Sequence, residues 1–178
     1  MRIGLTGHGT ERLLGLEDLI SLWIKNTMDT LCESNKDIVM LCGGADGADQ
    51  LFGIEAFHRP SASLHLCIPV EGYRNKKMHP HIKAAAKEEH YMADYWLKGL
   101  DAQRDRYIVN NCDILLAVWD GGQTGGTWDT INYARSIGKP IIYFPRRYFK
   151  RARKLIKMKE QYEGNETIRD IEDTREDT

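Results

Sequence analysis

Three short stretches rich in glycine, threonine and aspartate carry the groups with which this 178-residue chain could do chemistry. The longest is Asp120-Gly121-Gly122-Gln123-Thr124-Gly125-Gly126-Thr127-Trp128-Asp129-Thr130. Its four glycines precede a helical pattern, so the N–H groups of Gly125, Gly126 and Thr127 are placed to cradle a phosphate. The Thr127 hydroxyl is a further donor, and Asp129 in the first turn can reach a ribose or a water. The second stretch is Gly43-Gly44-Ala45-Asp46-Gly47-Ala48-Asp49. Small residues there leave room for a phosphate or a ribose against a helix N-terminus. Asp46 reads equally as a plain N-cap. Asp49 either faces a sugar hydroxyl or complements the helix dipole. The third is Thr6-Gly7-His8-Gly9-Thr10, with two hydroxyls, a polar ring and backbone that a ligand can approach closely. A turn glycine with a capping threonine is the plainer reading of that stretch.

Other polar clusters carry less. Cys32, Cys42, Cys67 and Cys112 form no CxxC pair and read as small buried hydrophobes in a reducing compartment. His79-Pro80-His81 looks like a metal hook, but no third ligand is spaced usefully near it, and His90 is expected on the following helix. No metal and no cofactor is therefore expected. Arg74, Lys76 and Lys77 make a basic loop that is either solvated or a cover for an anion. Residues 146–159 are basic and 160–178 acidic, so the basic face either touches nucleic acid or is solvated and partly neutralised. Trp119 and Trp128 flank the longest loop, where each could stack on a base or belong to the core or a dimer interface.

The elements that position these loops follow from apolar spacing. Strands are expected at 2–6, 37–42, 63–68, 113–119 and 139–144. Helices are expected at 13–31, 46–57, 82–98, 101–111, 127–137 and about 147–160, with an acidic tail that frays. This alternation predicts an α/β chain: a single Rossmann-like, doubly wound parallel sheet of about five strands with helices on both faces. Residues 1–160 form the domain and 161–178 the tail. All three polar loops then fall at the carboxyl ends of strands, where such sheets bind ligands. Asp113 opens a strand on the opposite edge and reads as structural.

Composition excludes some classes. The net charge of −1 gives no general attraction to nucleic acid. No apolar stretch approaches the roughly 18 residues of a membrane span. The N-terminal MRIGLTG enters a strand at once without a signal-peptide layout, so a cytoplasmic protein is expected.

GLTGH at 4–8, LCGGADGADQL at 41–51, the run from Arg104 through CDILLAVWDG at 112–121, and GGTWDTINYA at 125–134 resemble the SLOG superfamily. The YpsA-like branch is the most similar, and the superfamily includes the lonely-guy phosphoribohydrolases and the Smf/DprA proteins. The resemblance spans about residues 1–145. It implies a nucleotide ligand held by Thr6, Gly7, His8, Gly43, Gly44, Ala45, Gly47, Asp120, Gly121, Gly125, Gly126 and Thr127. It also implies a phosphate neutralised by Arg104, and a homodimer. In the lonely-guy motif PGGxGTxxE, Gly126-Thr127 match the GT. The glutamate position holds Thr130, with Asp129 one step earlier, and no proline precedes the glycines. Two readings follow. One is hydrolysis of a nucleotide N-glycosidic bond, with Asp129 and Asp49 as the carboxylates that stabilise an oxocarbenium-like ribose. The other is sensing or sequestering of a nucleotide signal without turnover. A third class, nucleic-acid binding through the 146–159 helix, is the less expected.

Overall fold

The computed structural model describes residues 1–33, 35, 37–72 and 78–173, with side chains as far as residue 161. The short apolar runs become strands because helices cover both faces of the sheet. These are β1 (Arg2–Gly7), β2 (Ile38–Cys42), β3 (Ala62–Ile68), β4 (Ala86–Tyr91), β5 (Ile114–Val118) and β6 (Ile141–Tyr143). They form one sheet in the order β4-β3-β2-β1-β5-β6, parallel throughout. The helices are α1 (Glu17–Cys32), α2 (Ala48–Phe57), α3 (Pro80–Ala85), α4 (Leu100–Asn111), α5 (Gly126–Ser136) and α6 (Arg147–Asp173). The chain winds outward from β1 to β4, then returns to lay β5 against the other side of β1. The crevice between β1 and β5 is thus the switch point of the sheet.

The expected doubly wound parallel sheet is present, with one strand more than expected. The additional strand is β4, which lies inside the stretch 82–98 expected as a helix. Only Pro80–Ala85 is helical there. Ala86-Lys87-Glu88-Glu89-His90-Tyr91 contains good helix formers, but pairing with β3 overrides that preference. β4 is an edge strand, and its exposed Lys87, Glu88 and Glu89 suit an edge that must not pair with another chain.

Other boundaries also move. A 3-10 turn at Thr10–Arg12 precedes α1, which starts at Glu17 rather than at 13. Leu14 (φ 59°) and Gly15 (φ 73°) separate the two. Helix α6 continues to Asp173, past the expected end near 160, so most of the acidic tail is helical. Glu160, Glu163, Glu166 and Glu172 lie in that stretch, and glutamate favours a helix. α2 begins at Ala48 behind Gly47, so Asp46 is not its N-cap.

The core lies on both faces of the sheet. On one, Ile3, Met40 and Leu66 pack against Ile20, Ile24 and Met28 of α1, Phe52 of α2 and Phe149 of α6. On the other, Leu41, Cys67 and Leu115 meet Ile108 and Val109 of α4 and Ala134 of α5. Asp113 is structural, as expected: its Oδ2 accepts from Arg2 N–H at 2.7 Å and its own N–H donates to Arg2 O at 2.7 Å. All four cysteines are unpaired. Burial raises the thiol pKa of Cys42 and Cys112 and pushes that of Cys67 up to about 12, which suits inert packing groups. No helix among the described residues is long and apolar enough to cross a membrane.

Candidate functional site

The three polar loops meet at the switch point and are tied to one another. Thr127 Oγ1 donates to Gly7 O at 2.9 Å, and Ala48 N–H donates to His8 O at 3.1 Å. Gly47 sits at φ 84°, and a Cβ there would stand 2.5 Å from His8 O. Glycine is therefore required at 47 both by its backbone and by the adjoining loop.

Between the loops lies a cavity of about 210 Å³. β1 and the segment after it contribute Leu5, Thr6, Gly7 and Gly9. The 43–49 loop and α2 contribute Ala45, Asp46 and Asp49. α4 contributes Arg104, Asp105 and Ile108, and α5 contributes Gly126 and Thr127. α5 opens behind Gly125 with no side-chain cap, which leaves its first N–H groups for an anion.

Arg104 is the buried cation of this cavity, with its side chain only 11% exposed. Its Nε is paired with Asp105 Oδ1 at 2.6 Å. Asp49 Oδ2 accepts from Gly43 N–H at 3.0 Å and Ala45 N–H at 3.2 Å. Burial pushes the Asp49 pKa up to about 6, against the lowering by Arg104 and those two N–H groups. Burial likewise raises that of Asp105, against Arg104 and Thr130. Thr130 Oγ1 lies 2.7 Å from Gly126 O and 3.1 Å from Asp105 Oδ2, so its one proton serves either acceptor. The cavity thus joins a buried guanidinium to carboxyls that protonate more readily than usual.

Thr6, Gly7, Ala45, Asp49, Arg104, Gly126 and Thr127 of the expected site line this cavity. Asp129 does not: it is exposed and lines a neighbouring cavity of about 120 Å³ with Asp105, Arg106, Thr130 and Tyr133. Gly43 packs against Arg104, Gly44 against Met78, and Gly125 precedes α5 at φ 88°. His8 and Asp120 do not line the cavity. They are buried and bonded to each other, Nε2 to Oδ1 at 2.8 Å. Asp120 also accepts from Gly122 N–H at 2.9 Å, Arg12 Nη2 at 2.9 Å and Arg153 Nη2. Burial alone would raise the Asp120 pKa, but these donors hold it well below the usual carboxylate range. Asp120 is therefore a hub joining two loops to α6, with Gly121 beside it in a left-handed turn (φ 98°).

Sequence reasoning missed Asp105, Arg12 and Arg153. The signal for Asp105 was its place beside Arg104, but only the α4–α5 packing turns it toward position 130. Trp119 and Trp128 stack on each other at 5.3 Å, and the buried Trp119 donates to Gly122 O at 2.7 Å. The hook at 79–81 is otherwise engaged. His79 caps α3 by accepting from His81 N–H, and the His81 ring stacks on Phe57 at 4.6 Å. Arg74, Lys76 and Lys77 lie outside the described residues.

No protein-family model matches the chain, and no curated protein matches it in sequence. Solved structures do. The structural-genomics target TM1055 aligns with a TM-score of 0.55 at 17% identity, over 79% of this chain and 71% of that one. DNA processing protein A (DprA) from Streptococcus pneumoniae aligns at 0.54 and 14% identity, over 81% of this chain and 50% of its own length. The molybdenum cofactor carrier protein from Chlamydomonas reinhardtii aligns at 0.54 and 15% identity, over 80% and 74%. All three have SLOG-type folds. The sheet order and these neighbours give this chain the parallel, Rossmann-like α/β fold that the three structures share, consistent with the SLOG resemblance of its sequence.

Proposed function

We propose that the cavity between β1 and β5 binds the ribose-phosphate part of a nucleotide. The observation that carries this is Arg104: a guanidinium only 11% exposed that lines the cavity beside the uncapped start of α5. A phosphate satisfies both groups. Asp46, Asp49 and Asp105 then face the sugar, whose hydroxyls donate to carboxylates. At about 210 Å³ the cavity is smaller than the roughly 300–1,000 Å³ pockets that enclose whole drug-sized ligands, so the base lies at its mouth. The test is thermal unfolding with ribose 5-phosphate and a panel of nucleoside monophosphates and dinucleotides. Binding raises Tm in the wild type and not in Arg104→Gln. If no nucleotide shifts Tm, the reading is lost.

Asp105 favours turnover over simple sensing. Its partly buried carboxyl stands against Thr130, the position where the lonely-guy motif has glutamate. Ionised, it would stabilise positive charge at C1′ while water adds there and the base leaves with the bond's electron pair. Release of free base, followed by chromatography, separates the two. Stabilisation without product makes the protein a nucleotide sensor.

The expected homodimer is kept as part of the proposal. Leu19 and Leu22 of α1 and Leu155, Ile156 and Met158 of α6 are exposed and apolar. Sedimentation should give a dimer that Leu155→Glu converts to monomer.

A further inference from the structure

β4 creates a cluster that no part of the switch-point site uses. Side chains two apart on a strand share a face, so Glu88 and His90 point the same way. Their partners on β3 are His65 and Cys67, which share the corresponding face. A register shift after Leu64 is decisive here. Leu64 pairs with Ala86, but His65 pairs with Glu88, so the intervening Lys87 is skipped. A regular ladder would set Lys87 opposite His65. The irregularity brings a carboxylate there instead, as bulges re-aim side chains elsewhere.

Three atoms converge as a result. His65 Nδ1 lies 3.2 Å from His90 Nε2 and 3.3 Å from Glu88 Oε2. His90 Nε2 lies 3.5 Å from the same Glu88 Oε2. A tetrahedral ion with bonds of about 2.0–2.1 Å holds its ligand atoms about 3.3–3.4 Å apart. The three separations form one face of such a tetrahedron. The other nitrogen of His65 is also engaged: Nε2 lies 3.2 Å from Ser63 Oγ. A partner on the second nitrogen fixes the ring and its tautomer, as in metal-ligating histidines. The His90 ring stands 5.4 Å from that of Tyr107 on α4. His65 is buried, whereas Glu88 is 57% exposed, so an ion can enter from solvent and water can complete its shell.

We propose that His65, Glu88 and His90 bind one zinc-class divalent cation through Nδ1, Oε2 and Nε2, with water in the fourth position. Two imidazoles and one carboxylate suit Zn²⁺, Co²⁺, Ni²⁺ or Cu²⁺ and disfavour Mg²⁺ and Ca²⁺, which take oxygen ligands. The site does not depend on the ribose-phosphate reading. It lies on the α4 side of the sheet, and Tyr107 follows Arg104 by about one helical turn. The ion would also join the edge strand β4 to β3, so binding should stabilise the fold.

The test uses the full chain, stripped with a chelator and desalted. Zn²⁺ is titrated in competition with a chromophoric chelator, and Co²⁺ is followed by its visible absorption. The expected result is one equivalent of Zn²⁺, no competition by Mg²⁺, a Tm raised by Zn²⁺, and an intense four-coordinate Co²⁺ spectrum without a thiolate band. His90→Ala and Glu88→Gln, at more exposed positions than His65, should fold and lose at least about tenfold to a hundredfold in affinity. Ser63→Ala should lose about tenfold by freeing the His65 ring. His79→Ala with His81→Ala should change nothing. The proposal is overturned if the stripped protein takes up no Zn²⁺, or if uptake is unchanged in both His90→Ala and Glu88→Gln.

Discussion

The guanidinium of Arg104 occupies the space that a side chain at position 43 would need: a Cβ on Gly43 would stand 1.5 Å from Arg104 Nη1. Gly47 is crowded differently, by the backbone of the adjoining loop at 2.5 Å and by its own φ of 84°. The two glycines therefore separate binding from stability. Gly43→Ala should push the flexible end of Arg104 aside, with a modest stability loss of about 1 kcal/mol or less and at least tenfold weaker ribose 5-phosphate binding. Gly47→Ala can displace only backbone and should cost about 2–3 kcal/mol. Urea unfolding and ligand titration of both variants check the contrast.

Asp120 gathers donors from the 6–10 loop, its own loop and α6, and its removal should loosen all three. Arg12 and Arg153 are each 46% exposed and can return to water at little cost. The buried His8 cannot. Asp120→Ala should therefore cost about 2–3 kcal/mol in urea unfolding. Its depressed folded-state pKa gives a stabilisation that is present above the unfolded value of 3.8 and lost as pH falls below it. Asp120→Asn should flatten the acid limb of the stability curve.

Asp49 has the opposite sign. Its folded-state pKa of about 6 lies above the ordinary value of 3.8, so the native state holds this proton more tightly. Its contribution is favourable below about pH 4 and is lost as pH rises to about 6, by up to about 3 kcal/mol. Asn at 49 keeps an oxygen for the two loop N–H groups and cannot ionise. The difference in stability between wild type and Asp49→Asn should therefore change in the variant's favour between pH 4 and 6.5. Phosphate-ligand affinity should also fall over that interval in the wild type and less in the variant.

If the cavity turns over a nucleotide, Asp105 and Asp129 should not be equivalent. Asp105→Asn should lower base release by at least a hundredfold, because its carboxyl lines the cavity beside Arg104. Asp129→Asn should have a smaller effect, since that side chain is exposed in the neighbouring recess. The reverse order, measured by single-turnover chromatography, would restore Asp129 to the role its sequence position suggests.

The alternation of apolar runs and polar loops was enough for a doubly wound parallel sheet, because burial on two faces leaves a strand little choice of composition. It was enough, too, to set the loops at 6–10, 43–49 and 120–127 on one edge, since strand direction alone does that. Local composition misled at 86–91, where Lys87, Glu88 and Glu89 favour a helix and only the open edge of β3 makes a strand.

The chain itself therefore determined the order of the elements apart from β4 and the sheet edge that carries the polar loops, while Arg104 was pointed to by the family resemblance. Only the tertiary structure decided which polar groups face the cavity and which are spent on one another. His8 and Asp120 pair across 112 residues, Thr127 binds the Gly7 carbonyl, and Asp105 turns toward Thr130. Such choices depend on long-range packing and on satisfying buried donors and acceptors, which residue type and spacing do not encode. The same holds at the edge, where one skipped residue in the β3–β4 ladder sets Glu88 rather than Lys87 opposite His65.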